Sequence, residues 1–264
     1  MRISIGILVV IFGIIVLGPL FITTDPLTTN PEIQLQPPDG QHPLGTDLLG
    51  RDVLSRVVHG GRQSLIVATL ATLWSAGAGL IVGGVTGLSR YDFDLLVINA
   101  TLAVPSLVIA LVILTLLGRG TGPLVIALGF SQIAPFAFVT RSAVRLALAE
   151  GYVEAAYSLG ASRFYVLTHH IFSRVLPTLV AYTGVVFSYT LLNGAALSFL
   201  GIGHEPGIPD WGTMLAEGRA NFRTAPWIGL APGVAITLII WSVNEMADQL
   251  TSLKGRAPGL LARV

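Results

Sequence analysis

Long uncharged hydrophobic runs alternate with short polar segments along the whole chain. Crossing a hydrocarbon core of about 30 Å takes roughly 20 helical residues, so runs of this length predict transmembrane helices. The shortest run, 124–140, contains Gln132 and Pro135. We expect it to span as well, because unpaired backbone groups at membrane depth cost several kcal/mol each. The pattern predicts an all-α, polytopic membrane protein with six transmembrane helices, over residues 3–23, 64–88, 95–117, 124–140, 175–200 and 226–244.

The polar segments between these runs predict shorter elements outside the hydrocarbon core. Residues 24–46 contain five prolines and are expected to form an extended loop. Residues 47–59 carry apolar positions on one side, which predicts a helix in the interface plane or over the mouth of the bundle. A second short helix is expected at 209–220. These elements predict three regions: residues 1–63 with the first span, the loop and the interfacial helix, a transmembrane domain over 64–254, and a tail at 255–264.

Composition supports membrane insertion and narrows the chemistry. Charged residues make up 11% of the chain and the mean hydropathy is +0.76, whereas a soluble domain averages about 25% charged residues. A net charge of +1 argues against a nucleic acid as partner. The sequence contains no cysteine, no glycine-rich phosphate-binding loop and no pair of histidines at metal-binding spacing. We therefore expect no metal site, no ATP bound by this chain and no catalytic role for it.

One polar stretch between two spans, 141–176, predicts two short helices joined at a glycine. Glu154 and the two alanines after it favour a helix, and Gly160 suits the left-handed residue that ends many helices. Ser162 can then cap the helix that follows. The pattern predicts a compact projection between two spans, which a soluble partner could contact.

The distribution of basic residues predicts the orientation of the chain in the membrane. With the N-terminus in the cytoplasm, nine arginines and lysines lie on the cytoplasmic side and six on the outer side. This is the bias that the positive-inside rule requires. Both termini and the stretch 141–176 are then expected in the cytoplasm, where ATP is available.

Three motifs resemble those of one family of transporters. Residues 154–162, EAAYSLGAS, followed by Ile171 and Pro177, are similar to the EAA loop of bacterial ABC-importer permeases. Residues 42–65, HPLGTDLLGRDVLSRVVHGGRQSL, resemble a block found in the C-type permeases of dipeptide, oligopeptide and nickel importers. Residues 198–215, with SFLGIG and then PDWGTML, are similar to a second block of the same permeases.

This resemblance implies a type I ABC-importer transmembrane domain that works by alternating access. As partners it implies a second, B-type permease subunit, two ABC ATPase subunits, an extracytoplasmic solute-binding protein and the lipid bilayer of a prokaryotic inner membrane. ATP and Mg would be bound by the ATPase subunits, and this chain would bind no cofactor. The residues expected to contact an ATPase subunit are Glu154, Ala155, Ala156, Gly160, Ala161 and Ser162.

Polar residues elsewhere are candidates for the pathway and its outer end. In the spans, the side chains that could line a polar passage, or could instead bond within the bundle, are Asn99, Ser106, Asn193 and Ser198. On the outer side, the residues expected near a gate or a receptor contact are Arg51, Asp52, Asp210 and Trp211. The leading hypothesis is a permease for di- or oligopeptides.

Three alternatives remain open at this point. The same family includes carriers of nickel chelates and other small solutes. A stand-alone channel or secondary transporter would instead predict charged or broken helices at mid-membrane. A membrane-embedded enzyme would need a cluster of catalytic polar residues in the spans. The clearest acids near a span, Glu245 and Asp248, lie at its inner end close to Lys254.

Overall fold

The computed structural model describes residues 2–22, 24–89, 93–205 and 207–255, and the regular structure in these residues is helical. The helices are α1 Arg2–Phe21, α2 Val53–Leu88, α3 Phe93–Leu102, α4 Ser106–Leu117, α5 Thr121–Ser131, α6 Ile133–Leu148, α7 Gly151–Ser158, α8 Arg163–Tyr165, α9 Phe172–Phe199, α10 Trp211–Ala220 and α11 Trp227–Gly255. A 3-10 turn, Pro31–Ile33, and a π-helical segment, Val166–Ile171, are the other helical elements of the described residues. The expected all-α fold is confirmed. The predicted tail beyond Gly255, with two of the basic residues counted for orientation, and Arg90 lie outside the described residues.

The long helix α2 defines two ends of the bundle. Its 36 residues extend about 54 Å at 1.5 Å per residue. Near its start, the indole Nε1 of Trp211 donates to the Val57 carbonyl at 2.9 Å. Just after its last residue, the Arg145 guanidinium on α6 donates to the Ser89 carbonyl at 2.6 Å. Helix α7, which contains Glu154, follows α6 directly. We name these the Trp211 end and the Glu154 end.

The chain passes from one end of the bundle to the other six times. Within the described residues, five segments are each long and apolar enough to span a membrane: α1, α2, α5 with α6, Val166–Phe199 and α11. Helices α3 and α4 form the sixth crossing together. Helix α3 begins at the Glu154 end, after α2. Gly120, just after α4, donates its N–H to the Gly203 carbonyl in the loop before α10 at 3.1 Å, so α4 finishes at the Trp211 end. Thr24 and Trp227 both bond at the Trp211 end, so α1 begins and α11 ends at the Glu154 end.

The third predicted span, 95–117, is not one straight helix. Helices α3 and α4 meet at an angle of 84°, across a short break that ends at Pro105. Proline has no backbone N–H and disfavours a helical conformation in the residue before it, so α3 ends at Leu102. The prediction of a continuous span was therefore wrong. A broken helix is one of the features expected of a channel or secondary transporter.

The amphipathic segment predicted as a separate helix over 47–59 is divided in the structure. Its first part is a turn, and α2 begins only after Asp52, whose carboxylate caps the helix by accepting from the Ser55 N–H at 2.7 Å. From there α2 runs without interruption into the predicted second span. Gly61 stays helical, and a Cβ at this position would lie 2.5 Å from the Trp211 ring. Glycine here allows close packing and does not end the helix.

Glycines along α2 also allow it to pack closely on α6. Gly79, Gly83 and Gly87 recur every four residues and therefore lie on one face. A Cβ on Gly83 would lie 2.3 Å from the Ala137 carbonyl oxygen, and one on Gly79 would lie 2.6 Å from the Phe136 Cβ. Small residues permit this close backbone approach between membrane helices.

Helix α1 lies at the periphery of the bundle. Only 11% of its apolar window is buried, whereas the other four candidate spans are 33% to 44% buried. Its exposed valines, leucines and isoleucines therefore form a continuous apolar surface. In a bilayer such a surface faces lipid at no cost in hydration.

Candidate functional site

The polar stretch between α6 and α9 folds as two short helices joined by a tight turn, and we name residues 151–171 the elbow. Its first helix, α7, ends in a Schellman motif. The Gly160 N–H donates to the Tyr157 carbonyl at 3.0 Å, and the Ala161 N–H donates to the Ala156 carbonyl at 3.0 Å. Gly160 has a φ of +86°, which residues with a Cβ rarely adopt. The left-handed glycine predicted at this position is confirmed.

The turn leads into a second helical segment of mixed geometry. The Ser162 hydroxyl accepts from the Tyr165 N–H at 3.2 Å and caps α8, as predicted. The following residues, Val166–Ile171, are π-helical and continue into α9. Such π turns occur frequently at functional sites. The apolar spacing did not indicate this one, because a single wide turn shifts the helical face too little for a pattern to resolve.

Aromatic rings connect the two halves of the elbow. The Tyr165 ring stacks on the His169 ring with centroids 4.4 Å apart, and it meets the His170 ring edge-on at 5.8 Å. The Tyr152 ring on α7 lies 5.7 Å from that of His170. These contacts hold α7 against the π segment in addition to the backbone turn.

The elbow has an inner face and an exposed face. Val153 is buried, and Ala156 and Ala161 are partly buried, against the apolar cluster of α6 and α9. The other residues predicted for partner contact are exposed: Glu154, Ala155, Gly160 and Ser162. Beside them, Leu159 is 89% exposed and Phe164 is 75% exposed. The sequence analysis did not name these two apolar residues, because a leucine and a phenylalanine in a helical pattern are usually core positions.

A groove separates part of the elbow from the bundle at the Glu154 end. Its volume is about 890 Å³, and it is lined by the ends of α2 and α6 and by elbow residues that include Tyr157, Phe164 and Leu167. The elbow therefore contacts the bundle through the side that contains Val153 and leaves its Leu159 side free.

At the Trp211 end, acids that the sequence analysis had singled out fix the starts of two helices. Asp52 caps α2 and also lies 2.8 Å from the His42 Nδ1. Asp210 caps α10 by accepting from the Gly212 and Thr213 N–H groups at 2.8 and 3.3 Å, and the Thr213 side chain completes a capping box. Both acids therefore have structural partners within the chain.

The loop that leads to α2 has a defined conformation, although the sequence predicted only an extended segment. The Asp39 carboxylate accepts from the His42 N–H at 2.6 Å, and this bond lowers the pKa of Asp39 below its ordinary value. Gly50 has a φ of +70°, and a Cβ there would lie 1.8 Å from the Asn30 carbonyl oxygen. The loop thus folds back on itself before α2 begins.

Trp211 is fully buried where α10 meets α2. Its indole donates to Val57, and its backbone N–H donates to the Ser64 hydroxyl at 3.2 Å. Tryptophans at a membrane boundary usually keep an amphipathic ring at the headgroup level. This one instead anchors α10 to α2. The adjacent Gly212 packs on α9, where a Cβ would lie 2.3 Å from the Ala195 carbonyl oxygen.

Four charged residues at this end, Asp47, Arg51, Arg56 and Glu217, bond to one another, and we name them the ionic cluster. Asp47 accepts from the Arg51 Nε at 2.7 Å and from Arg56 at 2.5 Å. Glu217, on α10, accepts from Arg51 at 3.0 Å and also from Arg56. The side chains of Asp47 and Arg56 are 2% and 3% exposed, whereas that of Glu217 is 38% exposed.

Of these four residues, only Arg51 was among the candidate site residues of the sequence analysis. A charged residue in a loop motif is solvated by default, and Glu217 lies 166 residues away from Arg51 in the chain. No local pattern could have paired them. Asp47 lies four residues before Arg51 and nine before Arg56. This closeness in the chain is the one signal that could have suggested that these three residues pair.

The four polar residues predicted for a passage have different surroundings. The Asn193 side-chain amide donates to the Ser106 hydroxyl at 3.4 Å, which connects α9 to α4. Ser198 is buried, and its hydroxyl lies 3.4 Å from the His204 Nδ1. Asn99 is exposed on α3, on the other side of the 84° bend. The structure thus brings Ser106 and Asn193 together and separates them from the other two.

Comparison with known proteins identifies the family. Residues 75–253 match the family described as the binding-protein-dependent transport system inner membrane component. This segment is more than half of the chain and includes both the elbow and α10. The chain belongs to this family.

Relatives of the permease align with most of its length. A putative peptide transport system permease protein of Brucella suis biovar 1 is 35% identical over 251 residues, which cover 94% of this chain and 85% of that protein. The dipeptide transport system permease protein DppC of Alkalihalophilus pseudofirmus is 31% identical over 240 residues, with 90% and 79% covered. DppC of Escherichia coli K12 is 34% identical over 212 residues, with 79% and 71% covered.

Solved structures share the fold of the permease. A chain of the MetNI methionine ABC transporter, in inward-facing conformations, matches with a TM-score of 0.62 and 14% identity, covering 75% of this permease and 95% of that chain. A chain of an amino acid ABC transporter with histidines matches with a TM-score of 0.51 and 21% identity, covering 76% and 93%. The predicted ABC-importer transmembrane fold is confirmed. The break at Pro105 therefore belongs to an ABC-importer permease, and it no longer favours a channel or secondary transporter.

Proposed function

We propose that this permease forms half of the translocation pathway of an ATP-driven importer of di- or oligopeptides, which works by alternating access. The family supports a transport role that depends on a binding protein. The names of the relatives favour peptides over nickel chelates as the solute. The observation that carries the mechanism is the elbow, a capped projection at the Glu154 end with large apolar side chains exposed.

The elbow is the proposed contact with an ATPase subunit. Its exposed face combines the Glu154 carboxylate with small side chains and with the apolar Leu159 and Phe164. A slim helix can enter a groove of a partner, and exposed apolar side chains gain free energy when the partner covers them. Two separate ATPase subunits would bind ATP and Mg. This chain would bind no cofactor and catalyse no reaction.

Force on the elbow would pass directly to the transmembrane helices. The turn at Gly160 and the ring contact between Tyr152 and His170 hold the two halves of the elbow together. The elbow continues into α6 on one side, which crosses the bundle together with α5, and into α9 on the other, which crosses it alone. Closure of the ATPase subunits would therefore re-orient these helices, as a lever does in a rigid-body switch.

We place the Glu154 end in the cytoplasm. The excess of basic residues, nine against six, supports this orientation. Both termini would then be cytoplasmic, because α1 begins and α11 ends at the Glu154 end. The Trp211 end, with Arg51, Asp52, Asp210 and Trp211, would face the extracytoplasmic solute-binding protein.

A second, B-type permease subunit would complete the pathway. The bonded pair Ser106 and Asn193 is partly exposed between α4 and α9, and Asn99 is exposed on α3. We assign these three residues to the polar surface that the two subunits enclose. Ser198, which the sequence also predicted for the pathway, is buried within this chain and is left out of that surface.

Cross-linking in the assembled transporter tests the proposed orientation and partner. The chain has no cysteine, so Ala155→Cys introduces a single thiol on the elbow. Ala220→Cys, on the exposed end of α10, is the matched control at the other end. We expect Ala155→Cys to cross-link to an ATPase subunit, Ala220→Cys not to do so, and cells to accumulate labelled dipeptide only when ATP is available. A cross-link from position 155 to the solute-binding protein, or uptake that does not depend on ATP, would refute the proposal.

A further inference from the structure

A polar cavity of about 260 Å³ lies beside the ionic cluster at the Trp211 end. Its lining comes from the start of α2, the turn after α4, the loop between α9 and α10, and α10 itself. The ionisable residues in this lining are Arg51, Arg56, Arg119, His204, Glu205 and Glu217. Cavities that hold drug-sized ligands measure roughly 300–1,000 Å³, so this one fits a smaller molecule.

Two charged side chains of the lining are not used by the ionic cluster. Arg51 and Glu217 bond within the cluster, whereas Arg119 and Glu205 have no ion-pair partner among the residues that the structure describes. The Glu205 carboxylate lies close to the chain next to Arg119, since a Cβ on Gly120 would be 3.9 Å from its Oε1. Both residues are exposed, so the lining offers one cation and one anion that no ion pair among the described residues uses.

A buried histidine of the lining also has an unbonded nitrogen. The His204 side chain is 2% exposed, and its Nδ1 lies 3.3 Å from Asp210 and 3.4 Å from Ser198. Its Nε2 has no hydrogen-bond partner in the described part of the chain, and the same is true of the Arg56 Nε. Buried polar atoms in proteins are almost always bonded. The wall of the cavity thus includes a buried histidine whose Nε2 the described chain leaves unbonded.

We propose that this cavity binds a short peptide in its zwitterionic form. The carboxylate of the peptide lies toward Arg119 and His204, and its ammonium group lies toward Glu205. A simple anion or a simple cation would leave one of the two unpaired charges unused, whereas a zwitterion uses both. This inference rests on the proposed function, which makes peptides the solute. It adds a recognition site for the charged peptide termini on the permease itself.

Equilibrium dialysis of radiolabelled alanyl-alanine against the purified transporter, without the solute-binding protein, tests this site. We expect wild type to bind the dipeptide, and Arg119→Gln and Glu205→Gln each to weaken binding at least tenfold. Arg223→Gln is the matched control, because Arg223 is an exposed arginine outside the cavity. It should bind as wild type does. N-acetyl-alanyl-alanine amide, which lacks both terminal charges, should not compete.

Uptake and assembly measured on the same proteins separate this inference from the proposed function. Gel filtration of each purified complex shows whether the variant is folded and assembled. A wild type that takes up alanyl-alanine but does not bind it in dialysis, or variants that bind it as well as Arg223→Gln does, would overturn the site and leave the proposed function standing. A wild type without ATP-dependent peptide uptake would overturn the proposed function, and the peptide ligand of this site with it.

Discussion

The two ends of the bundle are built in opposite ways. At the Trp211 end, charged and aromatic side chains are buried and bond to partners that are distant in the chain, as Arg56 does to Glu217. At the Glu154 end, the bonds that shape the elbow are local, and the large apolar Leu159 is 89% exposed. The comparison indicates that long-range bonds are concentrated at one end and that the other end leaves large apolar side chains exposed, on the surface that we propose contacts an ATPase subunit. Substitutions should therefore unfold the permease at the first end and only uncouple it at the second.

The largest loss of stability is expected from Asp47→Asn. This change removes the buried one of the two carboxylates that Arg51 and Arg56 share, and only the partly exposed Glu217 remains to pair with them. Breaking a buried ion pair costs about 3–5 kcal/mol. Unfolding of the purified permease in detergent measures the change in free energy. Glu217→Gln is the comparison, and its effect should be smaller because Glu217 is 38% exposed. Equal effects from the two variants would contradict the buried character of this end.

A smaller loss is expected from Gly83→Ala in the middle of the bundle. The added Cβ would lie 2.3 Å from a backbone oxygen of α6, and overpacking of this kind costs about 1–3 kcal/mol. Gly84→Ala is the matched control, because a Cβ there meets nothing within 4 Å. It should leave stability unchanged or raise it, since alanine favours a helix over glycine. The same unfolding measurement applies to both variants. Equal free energies of unfolding for Gly83→Ala and Gly84→Ala would contradict the close packing of α2 on α6.

At the elbow, Gly160→Ala should have a modest effect on stability and a clear effect on uptake. The space around Gly160 is open, but its φ of +86° places a Cβ in a left-handed conformation that costs about 1–2 kcal/mol. We expect the turn to relax and labelled dipeptide uptake to fall. Gly151→Ala, also in open space and without a positive φ, should retain uptake. If the two variants take up dipeptide equally well, transport does not depend on the left-handed turn at Gly160.

The smallest change in stability is expected from Leu159→Ser, because an exposed side chain contributes little to folding. The free energy of unfolding should stay within about 0.5 kcal/mol of wild type, while uptake should fall at least tenfold. Leu48→Ser, at a position 49% exposed at the Trp211 end, is the matched control and should retain uptake. If Leu159→Ser transports normally, Leu159 does not take part in coupling.

The success of the sequence predictions depended on how local the responsible interactions are. The turn and the cap of the elbow were predicted, because their bonds reach no farther than five residues along the chain. Pro105 was a local signal for the break between α3 and α4, but the length of the hydrophobic run outweighed it. The interfacial helix was predicted to end at residue 59, yet α2 continues through Gly60, which packs on the Asp210 backbone, and Gly61, which packs on the Trp211 ring.

The sequence by itself determined that the chain has long membrane-spanning helices and that the elbow turns at Gly160 and is capped at Ser162, because run length and capping bonds are properties of neighbouring residues. Only the tertiary structure decided that Asp47 and Arg56 are buried with Glu217, that Trp211 fills a core position, and that Leu159 is exposed. Burial of a charge or a large ring is tolerated only where distant parts of the chain supply its bonding partners and its packing. Which parts meet is a consequence of how the six crossings pack together.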